Sequence, residues 1–232
     1  MPFSFPPADS PFNVNEDVAK QRAAEAAVEY VRDCELVGVG TGTTVAHFIA
    51  ALGALKGHFD AAVASSEDTA EKLRAAGIRV LDLNAAGPLP VYVDGADEAT
   101  RHGQLVKGGG GALTREKVLA AASKRFVCMI HRPKLVDVLG DFGLPIEVIP
   151  MARSYVAREL VKRGGQPEWR KDYLTDNGNH ILDVKNLDIM DPAALETDLN
   201  QVPGIVTVGL FARRRADVLL IGDDDGVETL RP

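Results

Sequence analysis

Residues 107–117, KGGGGALTREK, are the most restrictive stretch of this sequence. Four consecutive glycines make neither a helix interior nor a good strand, because each glycine loses more backbone freedom on ordering than any other residue. Such a run is useful where backbone N–H groups must come close to a ligand. The residues that follow, Ala112 to Ser123, are predicted to form a helix. The glycine N–H groups would then lie at its positive end, where anions bind.

Glu116 lies one turn inside this predicted helix. At about 100° per residue, Leu113 and Leu119 flank it on either side, so we expect the carboxylate to project from the apolar face. Burial there would raise the pKa of the carboxyl group and make it a better base. The alternative is a surface glutamate near a helix N-terminus, where acidic residues are favoured anyway. The glycine run and Lys107 favour the functional interpretation.

A second glycine-rich turn, TGTT at residues 41–44, follows the predicted strand Leu36 to Gly40. It precedes a predicted helix, Val45 to Leu55. Strand, Gly/Thr turn and helix together are typical of a phosphate-binding loop, because hydroxyl and helix N–H groups can donate to the anion. The pattern is neither a dinucleotide fingerprint, whose third glycine would fall at Thr43, nor a P-loop. A turn that simply requires glycines is the structural alternative.

Three carboxylates crowd the end of the predicted strand Leu89 to Val93, in the sequence DGADE at residues 94–98. Parallel sheets place ligand groups at the carboxyl ends of their strands. Three such carboxylates repel one another unless a cation, a metal or substrate hydroxyl groups receive them. No histidine stands at ligand spacing, so a polyhydroxylated ligand, with Lys107 as the neutralising cation, fits as well as a metal. An acidic turn that ends a strand is the structural alternative.

The first part of the chain alternates between predicted strands and helices, which indicates βαβ units and a parallel sheet. Besides those above, the helices are Asn15 to Arg32 and Glu67 to Ala76, and the strands are Ala61 to Ala64, Ile78 to Leu83 and Phe126 to Ile130. A last strand, Val218 to Ile221, is expected to return to this sheet. We therefore predict an α/β fold with a mostly parallel, Rossmann-like sheet flanked by helices, in residues 1–139 plus 217–232.

The pattern changes at Gly140. Strands are predicted at Ile146 to Ile149, Pro167 to Lys171, Ile181 to Val184 and Ile205 to Phe211, and helices at Ala152 to Arg163 and after the cap Asp191. The order β-α-β-β-α-β is that of the ferredoxin-like arrangement. We predict that residues 140–216 form a second, smaller ferredoxin-like α+β domain.

Composition excludes several classes of protein. Of the 232 residues, 46% are hydrophobic and 25% charged, which is ordinary for a soluble globular protein. A net charge of −7, with one basic triplet at 213–215, argues against general nucleic-acid binding. No apolar run approaches the roughly 20 residues of a membrane span. The distant Cys34 and Cys128 are predicted to be reduced, as in a cytoplasmic protein. Residues 1–12 lack the charged start of a secretory signal and are predicted to form a loose extension.

Three motifs in the same order closely resemble those of type A ribose-5-phosphate isomerases. They are GVGTGTT at residues 38–44, DGADE at 94–98, and the glycine-rich stretch at 107–117. The resemblance runs from about Asp17 to the end of the chain. This family interconverts ribose 5-phosphate and ribulose 5-phosphate in the pentose phosphate pathway. The resemblance implies a sugar-phosphate substrate, no metal or organic cofactor, and a homodimer.

The resemblance also implies a role for each matching residue. Glu116 would be the proton acceptor, Lys107 would hold negative charge on the substrate oxygens, and one of Asp94 and Asp97 would assist ring opening. Lys20 is a further candidate for contact with the phosphate group. The implied substrate-binding residues are Thr41, Gly42, Thr43, Thr44, Asp94, Gly95, Ala96, Asp97, Lys107, Gly108, Gly109, Gly110 and Lys134.

Two other classes of protein have a related fold. A non-catalytic sugar-phosphate sensor of a transcription regulator would need a DNA-binding domain, and the short N-terminal segment has no room for a helix-turn-helix. A coenzyme A transferase would use a glutamate as nucleophile and form a covalent intermediate. The acidic pair Asp94 and Asp97 gives that reaction no help.

Overall fold

The computed structural model describes residues 16–55 and 58–232, so the predicted extension at residues 1–12 lies outside the described residues. In chain order, the elements are α1 Glu16–Ala27, β1 Leu36–Val39, α2 Thr43–Ala54, β2 Ala61–Ala64, α3 Glu67–Ala75, α4 Leu83–Ala86, β3 Leu89–Gly95, β4 Glu98–Ala99, β5 Leu105–Val106, α5 Leu113–Ala122, β6 Ser123–His131, β7 Leu144–Val148, α6 Arg153–Lys162, β8 Gln166–Trp169, β9 His180–Lys185, α7 Pro192–Leu199, β10 Ile205–Val208, β11 Leu210–Phe211, β12 Val218–Gly222 and β13 Val227–Leu230. None of the helices in these ranges is both long and apolar enough to cross a membrane.

A six-stranded sheet with the order β13-β12-β6-β3-β1-β2 forms the centre of the fold. Its strands run parallel except for β13, which pairs antiparallel with β12. Both faces of the sheet are covered, and the side chains of β3 alternate between two apolar cores. Val91 and Val93 face one core, while Tyr92 faces the other. The predicted parallel α/β sheet is confirmed, including the return of the strand at Val218 to Ile221.

Helix α1 lies on β6 and β12 through a face of small side chains. Ala19, Ala23 and Ala27 are completely buried there. The approach of helix to strand is so close that a Cβ on Gly222 would lie 2.0 Å from the carbonyl oxygen of Ala19. A glycine at the end of β12 is therefore required for this packing.

A second sheet is antiparallel, with the order β10-β7-β9-β8. Its own core contains Val148, Val156 of α6, Leu182 and Leu199 of α7. The chain order β7-α6-β8-β9-α7-β10 agrees with the predicted β-α-β-β-α-β arrangement. The division of the chain into domains at residues 139/140 and 216/217 stays a prediction.

A third, small sheet was not predicted. It has the order β11-β5-β4. Its side chains belong partly to a core of the parallel sheet and partly to the core of the antiparallel sheet. The predicted strand Ile205 to Phe211 is interrupted at Gly209, whose N–H donates to Pro145 O and whose carbonyl accepts from Lys107 N. The chain therefore leaves the antiparallel sheet as β10 and enters the small sheet as β11.

The predicted strand at Ile78 to Leu83 is wrong. Only Val80 forms a bridge, an isolated one with Ala62. The Asp82 side chain accepts a hydrogen bond from Asn84 N and begins the short helix α4. The aliphatic and β-branched residues favour a strand here, but Asp82 caps a helix and the helix forms instead.

Candidate active site

A cavity of about 240 Å³ opens where the carboxyl ends of β1, β3 and β6 meet the glycine-rich loop. It is lined by residues 41–45, 95–97, 107–110, Glu116 and Lys134. The structure thus brings together every predicted site residue except Asp94, which is buried behind the cavity wall, and the further candidate Lys20. The Gly/Thr turn and the glycine-rich loop face each other across this space.

Glu116 is almost completely buried, as the helical spacing predicts. It projects from α5 beside the buried Leu113 and Leu119. Its Oε2 lies 3.2 Å from Lys107 Nζ but accepts no hydrogen bond from the described residues. Burial raises the pKa of Glu116 to about 8, although the neighbouring ammonium opposes this shift. The result is a carboxyl group able to exchange a proton near neutral pH.

Lys107, which follows β5, is the buried cation of the site. Its Nζ donates to Gly95 O at 2.7 Å and lies 2.7 Å from Asp94 Oδ2. Burial alone lowers the pKa of this ammonium, but the carboxylates of Asp94 and Glu116 outweigh it and raise the pKa above its usual value. Lys107 therefore stays positively charged at the cavity wall.

Asp94 is placed differently from our expectation. Strand β3 continues to Gly95, so Asp94 is a strand residue on the same face as Tyr92 and is completely buried. Its Oδ1 accepts from the N–H groups of Thr41 and Gly95, and its Oδ2 accepts from the Tyr92 hydroxyl and faces Lys107. Asp94 holds Lys107 in place and does not line the cavity, so its predicted contact with a substrate hydroxyl stays a prediction.

The other two carboxylates of the cluster turn to different partners, which relieves the expected crowding. Asp97 lines the cavity, and its Oδ2 accepts from Gly109 N at 2.8 Å. Glu98 is buried and accepts from the N–H groups of Gly140 and Phe142, each at 2.6 Å. Among residues 16–55 and 58–232, no group of three or more His, Cys, Asp or Glu side chains is arranged to hold a metal ion.

The Gly/Thr turn presents backbone groups to the cavity. Gly42, with φ of 131°, precedes α2 and supplies no side-chain cap. The N–H groups of Thr43 and Thr44 have no acceptor among the described residues, so they remain available to an anion. The Thr41 hydroxyl, in contrast, hydrogen-bonds with Ser66 Oγ at 2.8 Å. Thr41 thus lines the cavity, but its hydroxyl group points towards Ser66 and not into the cavity. We had expected this hydroxyl group to donate to a bound anion.

Two further lysines were candidates for contact with substrate. Lys134 lines the cavity, and its Nζ donates to Ala96 O at 2.6 Å. Burial lowers the pKa of Lys134 below its ordinary value. Lys20 lies on α1, outside the cavity lining, and pairs with Glu16 at 2.5 Å.

Sequence reasoning missed three side chains that hold this site. All three lie in residues 144–208, which form the antiparallel sheet and its helices and are called the antiparallel segment below. Arg170 donates to carbonyl groups of the glycine-rich loop, and so does the Tyr173 hydroxyl. Glu147 is completely buried and accepts from Thr114 of α5 and from the Thr175 hydroxyl. The polar run TDNGN at 175–179 was the available signal in the sequence. It carries more side-chain hydrogen-bond donors than a turn requires, which indicates that some of them bind another part of the chain.

The fold and the site together define an enzyme that moves a proton next to a polar, anionic substrate group. The family model for ribose 5-phosphate isomerase A (phosphoriboisomerase A) matches residues 61–226. The ribose 5-phosphate isomerase A of Neisseria gonorrhoeae is similar over 94% of this chain and 98% of its own, with 44% identity and a TM-score of 0.92. The chain belongs to the ribose 5-phosphate isomerase A family.

Two other solved structures show the same similarity. The ribose 5-phosphate isomerase A of Methanocaldococcus jannaschii shares 35% identity over 94% of this chain and 100% of its own, with a TM-score of 0.88. A D-ribose-5-phosphate isomerase solved in complex with phospho-erythronic acid shares 36% identity over 95% of this chain and 100% of its own, with a TM-score of 0.89. The resemblance noted in the sequence is confirmed.

Proposed function

We propose that this chain is an aldose–ketose isomerase that interconverts D-ribose 5-phosphate and D-ribulose 5-phosphate through an enediolate. Membership of the family supports this reaction. The observation that carries it is the Glu116 carboxyl group, which is buried, has a raised pKa and has an oxygen free of hydrogen bonds beside Lys107. No step of the reaction requires a metal or an organic cofactor.

In the forward direction, Glu116 takes the proton from C2 of the open-chain aldose. Negative charge then develops on the C1 oxygen, where Lys107 and the N–H groups of the glycine-rich loop stabilise it. The hydroxyl proton passes from O2 to O1, and Glu116 returns its proton to C1. One carboxylate placed over both carbons is sufficient for this transfer.

The rest of the cavity accounts for substrate binding. The N–H groups at the start of α2, together with the Lys134 ammonium, are suited to the phosphate group. Asp97 Oδ1 has no hydrogen-bond partner among the described residues, so Asp97 can accept a proton from a ring hydroxyl. We assign assistance to ring opening to Asp97, because Asp94 is completely buried and does not line the cavity.

We further propose that the enzyme works as a homodimer in the cytoplasm, in the non-oxidative branch of the pentose phosphate pathway. The family resemblance supports the dimer and the pathway. Two free cysteines, Cys34 and Cys128, support a reducing compartment.

The test is direct conversion of ribose 5-phosphate by the purified protein in the presence of a chelator, with Glu116→Gln as the critical variant. The amide keeps the size of the side chain but cannot accept the proton, so turnover should fall by about 10²–10⁴. Affinity for substrate, measured by calorimetry, should change little, because the binding groups remain. Glu71→Gln, an exposed change on α3, is the matched control and should keep full activity.

Three results would contradict the proposal. A wild-type protein that fails to isomerise ribose 5-phosphate removes the function. Loss of activity with chelator that a divalent ion restores would show that a metal takes part. Near-normal turnover by Glu116→Gln would transfer the role of the base to another group.

A further inference from the structure

Three consecutive carbonyl groups of the glycine-rich loop are held by the antiparallel segment. Arg170, which follows β8, donates from Nη1 to Gly108 O at 3.2 Å and to Gly109 O at 3.1 Å. The Tyr173 hydroxyl donates to Gly110 O at 3.1 Å. Neither Arg170 nor Tyr173 lines the 240 Å³ cavity. The hydrogen bonds that fix the loop therefore come from residues outside the cavity.

Arg170 is itself fixed by Asp183 of β9. The distance from Nε to Oδ2 is 2.9 Å, and that from Nη2 to Oδ1 is 2.5 Å, so the pair is bidentate. A guanidinium is planar, and its donors form a rigid fork. Because Nε and Nη2 are bound to Asp183, the orientation of the guanidinium is fixed. Its Nη1 then donates towards the loop carbonyl groups.

The hydrogen bond from Arg170 to Gly109 O sets the direction of the Gly110 N–H. In a trans peptide, the N–H is directed opposite to the carbonyl of the preceding residue. Because Arg170 holds the carbonyl of Gly109, the N–H of Gly110 points away from Arg170. Gly110 lines the cavity, and a Cβ on it would lie 3.6 Å from Thr41 Cγ2.

The Gly110 N–H is also available to a ligand, as is the N–H of Gly108, which has no acceptor among the described residues either. The N–H of Gly109 donates to Asp97, and that of Gly111 donates to Gly108 O. Gly110 N–H has no acceptor among the described residues. A preorganised donor of this kind stabilises negative charge on an oxygen without having to reorient during the reaction.

We propose that Arg170 is a positioning residue for the isomerisation. By fixing the peptide between Gly109 and Gly110, it aims the Gly110 N–H at the oxygen that becomes negative in the enediolate. Asp183 acts one step further out, because it sets the orientation of the guanidinium. The inference rests on the proposed isomerase function, and it adds a role for the antiparallel segment in stabilising the transition state.

The test is Arg170→Lys, which keeps the positive charge but loses the fork. An ammonium cannot satisfy Asp183 at two points and also hold two carbonyls. Deleting such a donor costs about 10²–10³ in kcat, so misdirecting it should lower kcat by about tenfold to a hundredfold, with a smaller change in KM. Arg163→Lys is the matched control, since Arg163 pairs with Asp198 in the same segment. That variant should behave like the wild type.

Binding distinguishes positioning from general damage. 4-Phospho-erythronate has a carboxylate where the enediolate has two oxygens, whereas ribitol 5-phosphate has the same phosphate and no such charge. Arg170→Lys should weaken binding of phospho-erythronate by about tenfold, in line with loss of a charge-directed donor, and leave ribitol 5-phosphate binding unchanged. Equal weakening of both ligands, or unchanged kcat, would overturn the proposal.

Asp183→Asn provides an independent readout of the same idea. A purely long-range charge effect predicts tighter binding of phospho-erythronate, because a negative charge has been removed. Positioning predicts weaker binding, because one of the two anchors of the guanidinium is lost. If the wild type binds both ligands but does not isomerise ribose 5-phosphate, the isomerase function fails. The selective loss in Arg170→Lys would then still report on the aim of the Gly110 N–H.

Discussion

Lys107 Nζ lies 2.7 Å from Asp94 Oδ2, and both side chains are almost completely buried. Such a pair is stable only if the remaining hydrogen-bonding capacity is satisfied, and here Tyr92, Thr41 and Gly95 satisfy it. Asp94 therefore neutralises most of the charge on Lys107. Glu116, at 3.2 Å from the same ammonium, is left as the group that can gain or lose a proton.

The raised pKa of Glu116 predicts the pH dependence of kcat/KM, which reports ionisations of the free enzyme. The carboxylate is the active form, so kcat/KM should fall as the pH decreases through about 8, the pKa of Glu116. An ordinary glutamate would lose activity only near its usual pKa of 4.5. The measurement is kcat/KM across this range at constant ionic strength. A profile that is flat down to acid pH would contradict the assignment. A limb near pH 6 would belong to the substrate phosphate, whose second pKa is about 6.

The same shift has a consequence for stability. Between the unfolded pKa of 4.5 and the folded pKa of about 8, the folded protein binds the proton that the unfolded chain has lost. The free energy of unfolding therefore decreases as the pH rises through this range. Glu116→Gln removes this contribution, so its Tm should exceed that of the wild type above pH 8 and approach it in acid.

Asp97→Asn and Asp94→Asn should separate ring opening from the charge on Lys107. The Asp97 amide keeps an acceptor for Gly109 N but cannot take a proton from a ring hydroxyl. With ribose 5-phosphate at high enzyme concentration, the Asp97→Asn rate should become limited by spontaneous ring opening and independent of enzyme. The Asp94→Asn rate should fall but stay proportional to enzyme concentration. Initial rates over a range of enzyme concentrations decide this, and the reverse pattern would return ring opening to Asp94.

Gly40→Ala tests the packing that holds Asp94. A Cβ at Gly40 would lie 1.9 Å from Asp94 Cγ, and Asp94 has no room to move because it is completely buried. Overpacking of this kind costs about 1–3 kcal/mol, so we expect a lower Tm together with lost activity. Gly53→Ala, within α2, is the matched control. Its Cβ would meet nothing closer than 3.8 Å, and it should stabilise the fold by up to about 1 kcal/mol. A fully active Gly40→Ala would show that the Asp94–Lys107 geometry is not required.

Much of this fold could be predicted from local patterns. The helical period placed Glu116 on the buried face of α5, and the carboxyl ends of successive strands brought the Gly/Thr turn and Asp97 to one cavity. The orientation of Asp94 was not predicted, because it depends on how far β3 continues. With two more residues in the strand, the alternation of side chains places Asp94 on the same face as Tyr92, where it is completely buried.

The contacts that could not be predicted join distant parts of the chain. Apart from the polar run at 175–179, the sequence gives no local sign of the roles of Arg170 and Glu147, since each acts on a loop or helix far away in sequence. The small sheet could not be predicted from the sequence for a similar reason. Leu105 and Val106 are too short a segment to indicate a strand, and they form one by pairing with β4 on one side and the distant β11 on the other.

The packing of α1 on β12 constrains when the enzyme can form in the cell. Among the described elements, a ribosome makes α1 first and β12 after all the others except β13. Until then, the buried alanine face of α1 has no strand of β12 beneath it. Until β12 emerges, the nascent chain thus carries an unfinished parallel sheet, with apolar surface that chaperones can bind. Every residue that lines the cavity around Glu116 is made before β12, so the catalytic side chains are present before the strand that joins α1 to the sheet.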